Sequence, residues 1–186
     1  MKDNELLDLI RSRRSVLRFE KGEVSDEQVE AILEAGRWAP SYINSQPWEF
    51  IVVRDDALRA RAGDILKRVT ISWQGFSQAS VLVVIAVDMV SDPHHYREDG
   101  AAAAQNMSLM AHGLGLATFW AGMHGDAEAR GTPEDELRTL LAGPRRLGIV
   151  AAIPVGIPAY TPESTRKPLS EIHHRDGWSP RTLHRR

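Results

Sequence analysis

The stretch VLVVIAVD at 81–88 limits the possible folds more than any other part of the chain. Its first seven residues are apolar and mostly β-branched, with no polar alternation. That pattern reads as a strand buried on both faces. Such a strand needs a layer above it and another below, which places the chain among layered α/β or α+β domains. The run is also far short of the ~20 residues that a membrane helix requires.

The flanking sequence supplies the layers. A first helix is expected from Asp3 or Asn4, with Leu6, Leu7 and Ile10 on one face and its end near the arginines that follow. A second begins at Ser25, where Ser25 and Gln28 form a capping box and Val24 and Val29 stand at the staple positions. Val29, Ile32 and Leu33 carry its apolar stripe to about Trp38, and Pro40 stops it. EFIVVR at 49–54 reads as a strand, followed by a helix with Leu58, Ala62, Ile65, Leu66 and Val69 inward. A long helix from about Arg97 to Leu114 contains AAAA at 101–104, small side chains that suit close helix approach. Thr132 caps a further helix with Pro133 at its first position, and Gly143-Pro144 closes it. GIVAAIPVG at 148–156 is another strand. No repeat and no linker divides the 186 residues, so one domain spanning 1–186 is expected. From Pro158 the tail is basic and proline-rich, too poor in apolar residues for a core of its own.

Charge is concentrated at one place. RSRRSVLRF at 11–19 carries Arg11, Arg13, Arg14 and Arg18, although the whole chain has a net charge of -2. Four readings compete: a nucleic-acid arm, an RRxS kinase site, a solvated helix end, and a grip on a small anionic cofactor. The acidic balance argues against a dedicated nucleic-acid binder, and arginines at a helix C-terminus are favourable to its dipole. Zero cysteines excludes disulfides, thiol catalysis and cysteine-based metal sites, and fits a cytoplasmic protein. MKDNELLDLI lacks the apolar core of a secretory leader.

Two loops have unusual chemistry. APSYINSQPW at 39–48 is stiffened by Pro40 and Pro47 and offers Ser41, Asn44, Ser45 and Gln46 for hydrogen bonding. It suits either recognition of a flat polar ligand or a structural connector. GLGLATFWAGMHG at 113–125 has glycines that let backbone approach a ligand, but it follows a helix and is not a dinucleotide fingerprint. It reads equally as a glycine-terminated helix leading into a short strand. His94 and His95 with Asp92 and Glu98, or His173 and His174 with Asp176, lack metal-ligand spacing and read as surface loops. No GxSxG elbow supports a serine nucleophile. The five tryptophans, 38, 48, 73, 120 and 178, read as core or interface residues.

RRSVLRF at 13–19, APSYINSQPWEFIVV at 39–53, EDGAAAAQNMSLMAHGLGLATFW at 98–120, GIPAY at 156–160 and TRKPLSEI at 165–172 together resemble the FMN-dependent nitroreductase family, in its compact form. The resemblance implies an α+β fold with a central mixed sheet flanked by helices. It implies an intertwined homodimer in which residues 158–186 extend over the dimer. It also implies one FMN per subunit at the interface, reduced by NADH or NADPH, with a small-molecule acceptor taking the electrons in a ping-pong cycle. Nitroaromatics or quinones are the expected acceptors. A same-fold dehydrogenase or dehalogenase is the alternative, and a non-enzymatic phosphate-binding module the outside one. By the same resemblance, Arg13, Arg14, Ser15 and Arg166 would hold the phosphate and ribityl end. Pro40, Ser41 and Asn44 would reach the flavin bound by the partner, and Trp120, Ala121 and Gly122 would line its ring. No catalytic acid or base is required, because the cofactor carries the chemistry. No metal, nucleic acid or membrane is involved in this reading. Leu17 stands where a base is usual, Tyr42 and Ile43 where small or polar residues are common, and Ser164 where some relatives carry a second phosphate-binding base. With Leu17, reduced flavin is expected to be harder to form, unless Arg18 or Arg37 supplies the missing charge.

Overall fold

The structure, a computed structural model, describes residues 4–70, 74–123 and 130–178. Trp73, Gly125, the tail beyond Trp178 and the proposed helix start at Asp3 lie outside the described residues.

Side-chain caps open four of the described α-helices. Asn4 Oδ1 accepts the Leu7 N–H at 3.3 Å to open α1 (Glu5–Ser12). The Ser25–Gln28 capping box is complete, with 3.2 and 3.0 Å bonds, and opens α2 (Asp26–Arg37). Asp55 caps α3 (Asp56–Leu66) through the Leu58 N–H at 2.7 Å. After the short α4 (Gln74–Gln78) comes the long α5 (Tyr96–Gly113). Thr132 caps α6 (Pro133–Leu140), with Pro133 in the first turn where a missing N–H does no harm.

The strands are β1 (Phe19–Glu20), β2 (Trp48–Val53), β3 (Val81–Asp88), β4 (Ala117–Thr118), β5 (Ala121–Gly122) and β6 (Leu147–Pro158). They form one sheet in the order β1-β6-β3-β2, with β4 and β5 also paired to β6. A mixed sheet is expected from the resemblance, yet every ladder between these strands is antiparallel. The one parallel contact among the described residues is an isolated bridge between Ser15 and Thr118. A continuous apolar run reports burial on two faces and says nothing of strand direction.

Both faces are covered. Val81, Val83 and Ile85 point to one side with Val29, Ile32, Ala104 and Met107 of α2 and α5. Leu82 and Val84 point to the other with Ala62, Leu66, Phe76 and Leu137 of α3, α4 and α6. Where α2 approaches α5, a Cβ at Gly36 would crowd the Met107 side chain and the Phe50 ring. On α5 itself Ala103 and Ala104 of the alanine run are fully buried. The register of β3 against β6 shifts between Ile85 and Ala86, so that Val150 is unpaired there. Its carbonyl instead accepts the Met123 N–H at 3.0 Å.

The expectation of an apolar face on α1 holds, but that face is open to solvent in the single chain. Leu6 is 61%, Leu7 37% and Ile10 46% exposed. Trp38 and Trp178 are also exposed, and Trp120 is 38% exposed, so of the two alternatives, core or interface, these three are not core residues of the single chain. Among the described residues no helix is long and apolar enough to cross a membrane.

Candidate functional site

The arginine run leaves α1 at its C-cap, Arg13, whose ψ of 135° turns the chain out of the helix. From there it lies alongside β4. Ser15 bridges Thr118, and the Val16 N–H donates to the Thr118 carbonyl at 3.0 Å. The charged segment is thereby fixed next to the glycine-containing stretch 113–122.

Three guanidinium groups gather at this edge. Burial, then the charges of Arg166 and Arg14, holds Arg13 below the ordinary guanidinium range. Arg14 donates from Nη1 to the Arg11 and Arg13 carbonyls, while its Nε is buried without a partner. Arg166 donates to Ser164 Oγ and the Thr165 carbonyl, which fixes its position in the C-terminal segment. Like charges held together in this way need an anion to offset their repulsion, and a planar fork of donors matches phosphate oxygens. These donors fit a phosphate group. Beside them His112 lies 2.8 Å from Ser12 Oγ, and its imidazole is lowered from the usual histidine range by burial, then by Arg13 and Arg14.

The loop at 39–48 is shaped by backbone rather than by side-chain reach. A 3-10 turn, Tyr42–Asn44, contains Ile43 at φ 46° and Asn44 at φ 60°, and Gln46 follows at φ 49°. Left-handed backbone at a β-branched residue is costly and needs outside support. The Tyr42 N–H donates to both carboxylate oxygens of Asp99 at 3.1 and 3.2 Å. The Gln46 N–H donates to Ser41 Oγ at 3.0 Å. The Tyr42 ring stacks on His95 with centroids 4.0 Å apart, and the His95 ring is held by Asp92 Oδ1 at 3.2 Å. Asp92 and Asp99 are both buried. Burial raises Asp99 above the ordinary carboxyl range, and the charge of Asp92 adds to this against the pull of the Tyr42 N–H. His94 and His95 are therefore structural partners of Asp92, and no metal-binding group of three or more ligands occurs among the described residues.

The sites expected from the sequence fall into two places. Arg13, Arg14 and Arg166 interact electrostatically, and Ser15 joins them to the strand region of Trp120, Ala121 and Gly122. Pro40, Ser41 and Asn44 lie elsewhere. Their loop is tied to Asp99 in the first turn of α5, whereas the arginines sit by His112 in its last turn. These two points are about 20 Å apart along the axis at ~1.5 Å per residue. Leu17 packs against the core on the α3 side of the sheet, with its N–H 3.4 Å from the Tyr160 hydroxyl. Arg18 lies over the Tyr160 ring, and Arg37 is paired with Glu34 at 2.6 Å, beside Trp38. Asp99 and His112 do not stand out in the sequence, because an acid in the first turn and a histidine in the last are ordinary dipole partners.

Comparison with known proteins agrees with this architecture. The profile of the nitroreductase family matches residues 10–72 and 66–157. A protein of Archaeoglobus fulgidus, provisionally named NADH dehydrogenase/NAD(P)H nitroreductase, is 32% identical over 164 residues, which cover 83% of this chain and 86% of that one. A provisionally named nitroreductase from Desulfovibrio desulfuricans, solved in complex with FMN, is 35% identical. It superposes with a TM-score of 0.76 over 96% of this chain and 100% of its own. Iodotyrosine deiodinase 1 of Mus musculus is more distant, at 26% identity over 208 residues, 92% of this chain and 70% of that one. With a profile matched over most of its length and relatives above 30% identity, the chain belongs to the nitroreductase family.

Proposed function

We propose that this oxidoreductase binds FMN and uses NADH or NADPH to reduce nitroaromatics, quinones or related acceptors in a ping-pong cycle. The observation that carries this is the like-charged group Arg13, Arg14 and Arg166, set next to the 113–122 stretch by the Ser15–Thr118 bridge. FMN, when bound, supplies two-electron chemistry by accepting hydride from the nicotinamide and passing electrons on. The protein's task is placement. Arg13, Arg14, Ser15 and Arg166 hold the phosphate and ribityl end, and the backbone from Trp120 to Gly122 borders the ring. Donor and acceptor use the same opening in turn.

We infer a homodimer, and the separation of the two groups of residues along α5 supports it. In it Pro40, Ser41 and Asn44 would reach the flavin held by the arginines of the second copy, their own arginines lying toward the other end of α5. The open face of Leu6, Leu7 and Ile10 is the surface that a second copy would cover, and the segment from residue 158 would pack on the dimer. The whole chain acts as a single FMN-binding domain in a cytoplasmic setting, where nicotinamide donors are at hand.

Colour tests the proposal. Purified protein should show flavin absorption bands that bleach with NADH or NADPH without oxygen and return when a nitroaromatic or quinone is added. Colourless protein that does not take up FMN would leave a phosphate-binding module as the better account. The deiodinase similarity supports a second reading, reductive dehalogenation. There two electrons and a proton replace the halogen on an aromatic ring and halide leaves. Halide release from an iodophenol, measured beside nitro reduction, separates the two.

A further inference from the structure

Behind the arginine run is a cavity of about 130 Å³ whose polar lining is Ser12, Arg14, His112 and Thr161. It offers a guanidinium, an imidazole and two hydroxyls, and no carboxylate. Arg14 Nε is buried at this place without a partner. Ser12 Oγ lies 2.8 Å from His112 Nε2 and 3.2 Å from the Leu9 carbonyl. With Nε2 bare, the hydroxyl donates to the ring. With Nε2 protonated, the ring donates to the hydroxyl, which turns its own hydrogen to Leu9. Rotation about one C–O bond therefore accommodates both states of His112.

Charge decides between those states. Arg13 and Arg14, at the end of α1, are the charges acting on His112, and they disfavour the imidazolium beyond the effect of burial. The other elements around the cavity contribute Gly115, Leu116, Ala117, Pro158 and Thr161, none of which titrates. A bound phosphate monoester adds about -1.5 to -2 charges at neutral pH. It offsets the guanidinium field and reverses the sign of the electrostatic effect on the ring.

We propose that His112 takes up a proton when a phosphate monoester binds to Arg13, Arg14 and Arg166, so that anion binding and protonation of His112 are linked. This rests on the FMN reading, FMN being a phosphate monoester. The pKa of His112 rises on binding. The added affinity is therefore complete below the pKa of the free protein and lost as pH rises through that of the complex. A rise of one pKa unit corresponds to about tenfold in affinity at the low-pH limit. The phosphate's own proton works in the opposite direction near pH ~6, so the comparison must be with a variant that shares the ligand.

His112→Gln keeps a partner for Ser12 and removes the titration. FMN is titrated into flavin-free protein between about pH 5.5 and 8.5, followed by flavin fluorescence. The ratio of the variant's Kd to the wild-type Kd should be near one at the alkaline end and rise several-fold at the acid end. Riboflavin, which lacks the phosphate, should show no such rise. Proton NMR of the His112 ring, assigned by its loss in the variant, should show its titration midpoint moving up when FMN is added. A Kd ratio that stays flat with pH, or a midpoint that FMN leaves in place, overturns the linkage. If FMN fails to bind at any pH, the cofactor reading is what fails. Inorganic phosphate then replaces it in the NMR titration, and an unmoved midpoint overturns the linkage as well.

Discussion

At the scale of single residues, the arginine run separates into distinct tasks. Arg11 sits in the last turn of α1 and pairs loosely with Asp8, as a helix-end arginine would. Arg13 is the partly buried one, set against Arg166 and Arg14. Arg13→Gln should weaken FMN about ten- to hundredfold, the range for loss of charged hydrogen bonds, and leave riboflavin affinity unchanged in the same fluorescence titration. Leu17→Arg should raise the flavin midpoint potential in a spectroelectrochemical titration, at a cost in melting temperature because Leu17 packs on the core. An unmoved potential would mean that position 17 does not face the flavin N1 edge. Asp99 has a pKa raised in the folded state. Its contribution to stability is present below the unfolded carboxyl pKa and is lost as pH rises through the folded one, so ionised Asp99 is a burden at neutral pH. Asp99→Asn, which keeps an acceptor for the Tyr42 N–H, should melt no lower than wild type at pH 8. Asp99→Ala leaves that N–H unsatisfied at a cost of about 1–3 kcal/mol, and should melt several degrees lower by calorimetry.

Among the elements, those with a local signal are the ones the sequence places most accurately. The Ser25–Gln28 box, Thr132 with Pro133, and the apolar run of β3 each specify their element without help from the rest of the chain. Ser25→Ala removes one of the two reciprocal bonds and should cost about 1 kcal/mol, a fall in melting temperature of about 2–4 °C for a chain of this size. The loop at 39–48 behaves differently. Its residues are polar and proline-flanked, which announces a rigid loop, but its left-handed backbone at Ile43 and Asn44 depends on Asp99, fifty-seven positions away from Tyr42 in the chain. Nothing within ten residues of Tyr42 encodes that contact. Strand direction is likewise absent from the pattern of β3, since burial on two faces is the same for either direction.

For the molecule as a whole, α5 is the ruler. The arginine group lies by its last turn and the 39–48 loop by its first, and the proposed site built from both is one that two chains would share. The open apolar face of α1 points the same way. The pair Leu6→Glu and Ile10→Glu should convert a dimer in sedimentation velocity to a monomer and release FMN, while circular dichroism keeps its wild-type form because no buried residue is touched. An unchanged sedimentation coefficient with flavin retained would place the interface elsewhere. The family was legible in the sequence because it depends on short stretches, the arginines and the two loops, and the helix caps were legible for the same reason. So were the layers, because a strand with no polar face demands cover on both sides. Only the tertiary structure decided that the sheet is antiparallel, that Asp99 supports the loop, and that His112 lies within the field of Arg13 and Arg14. Each of those depends on which distant segments meet, and a contact across fifty or a hundred residues leaves no periodicity or cap in the sequence at either end.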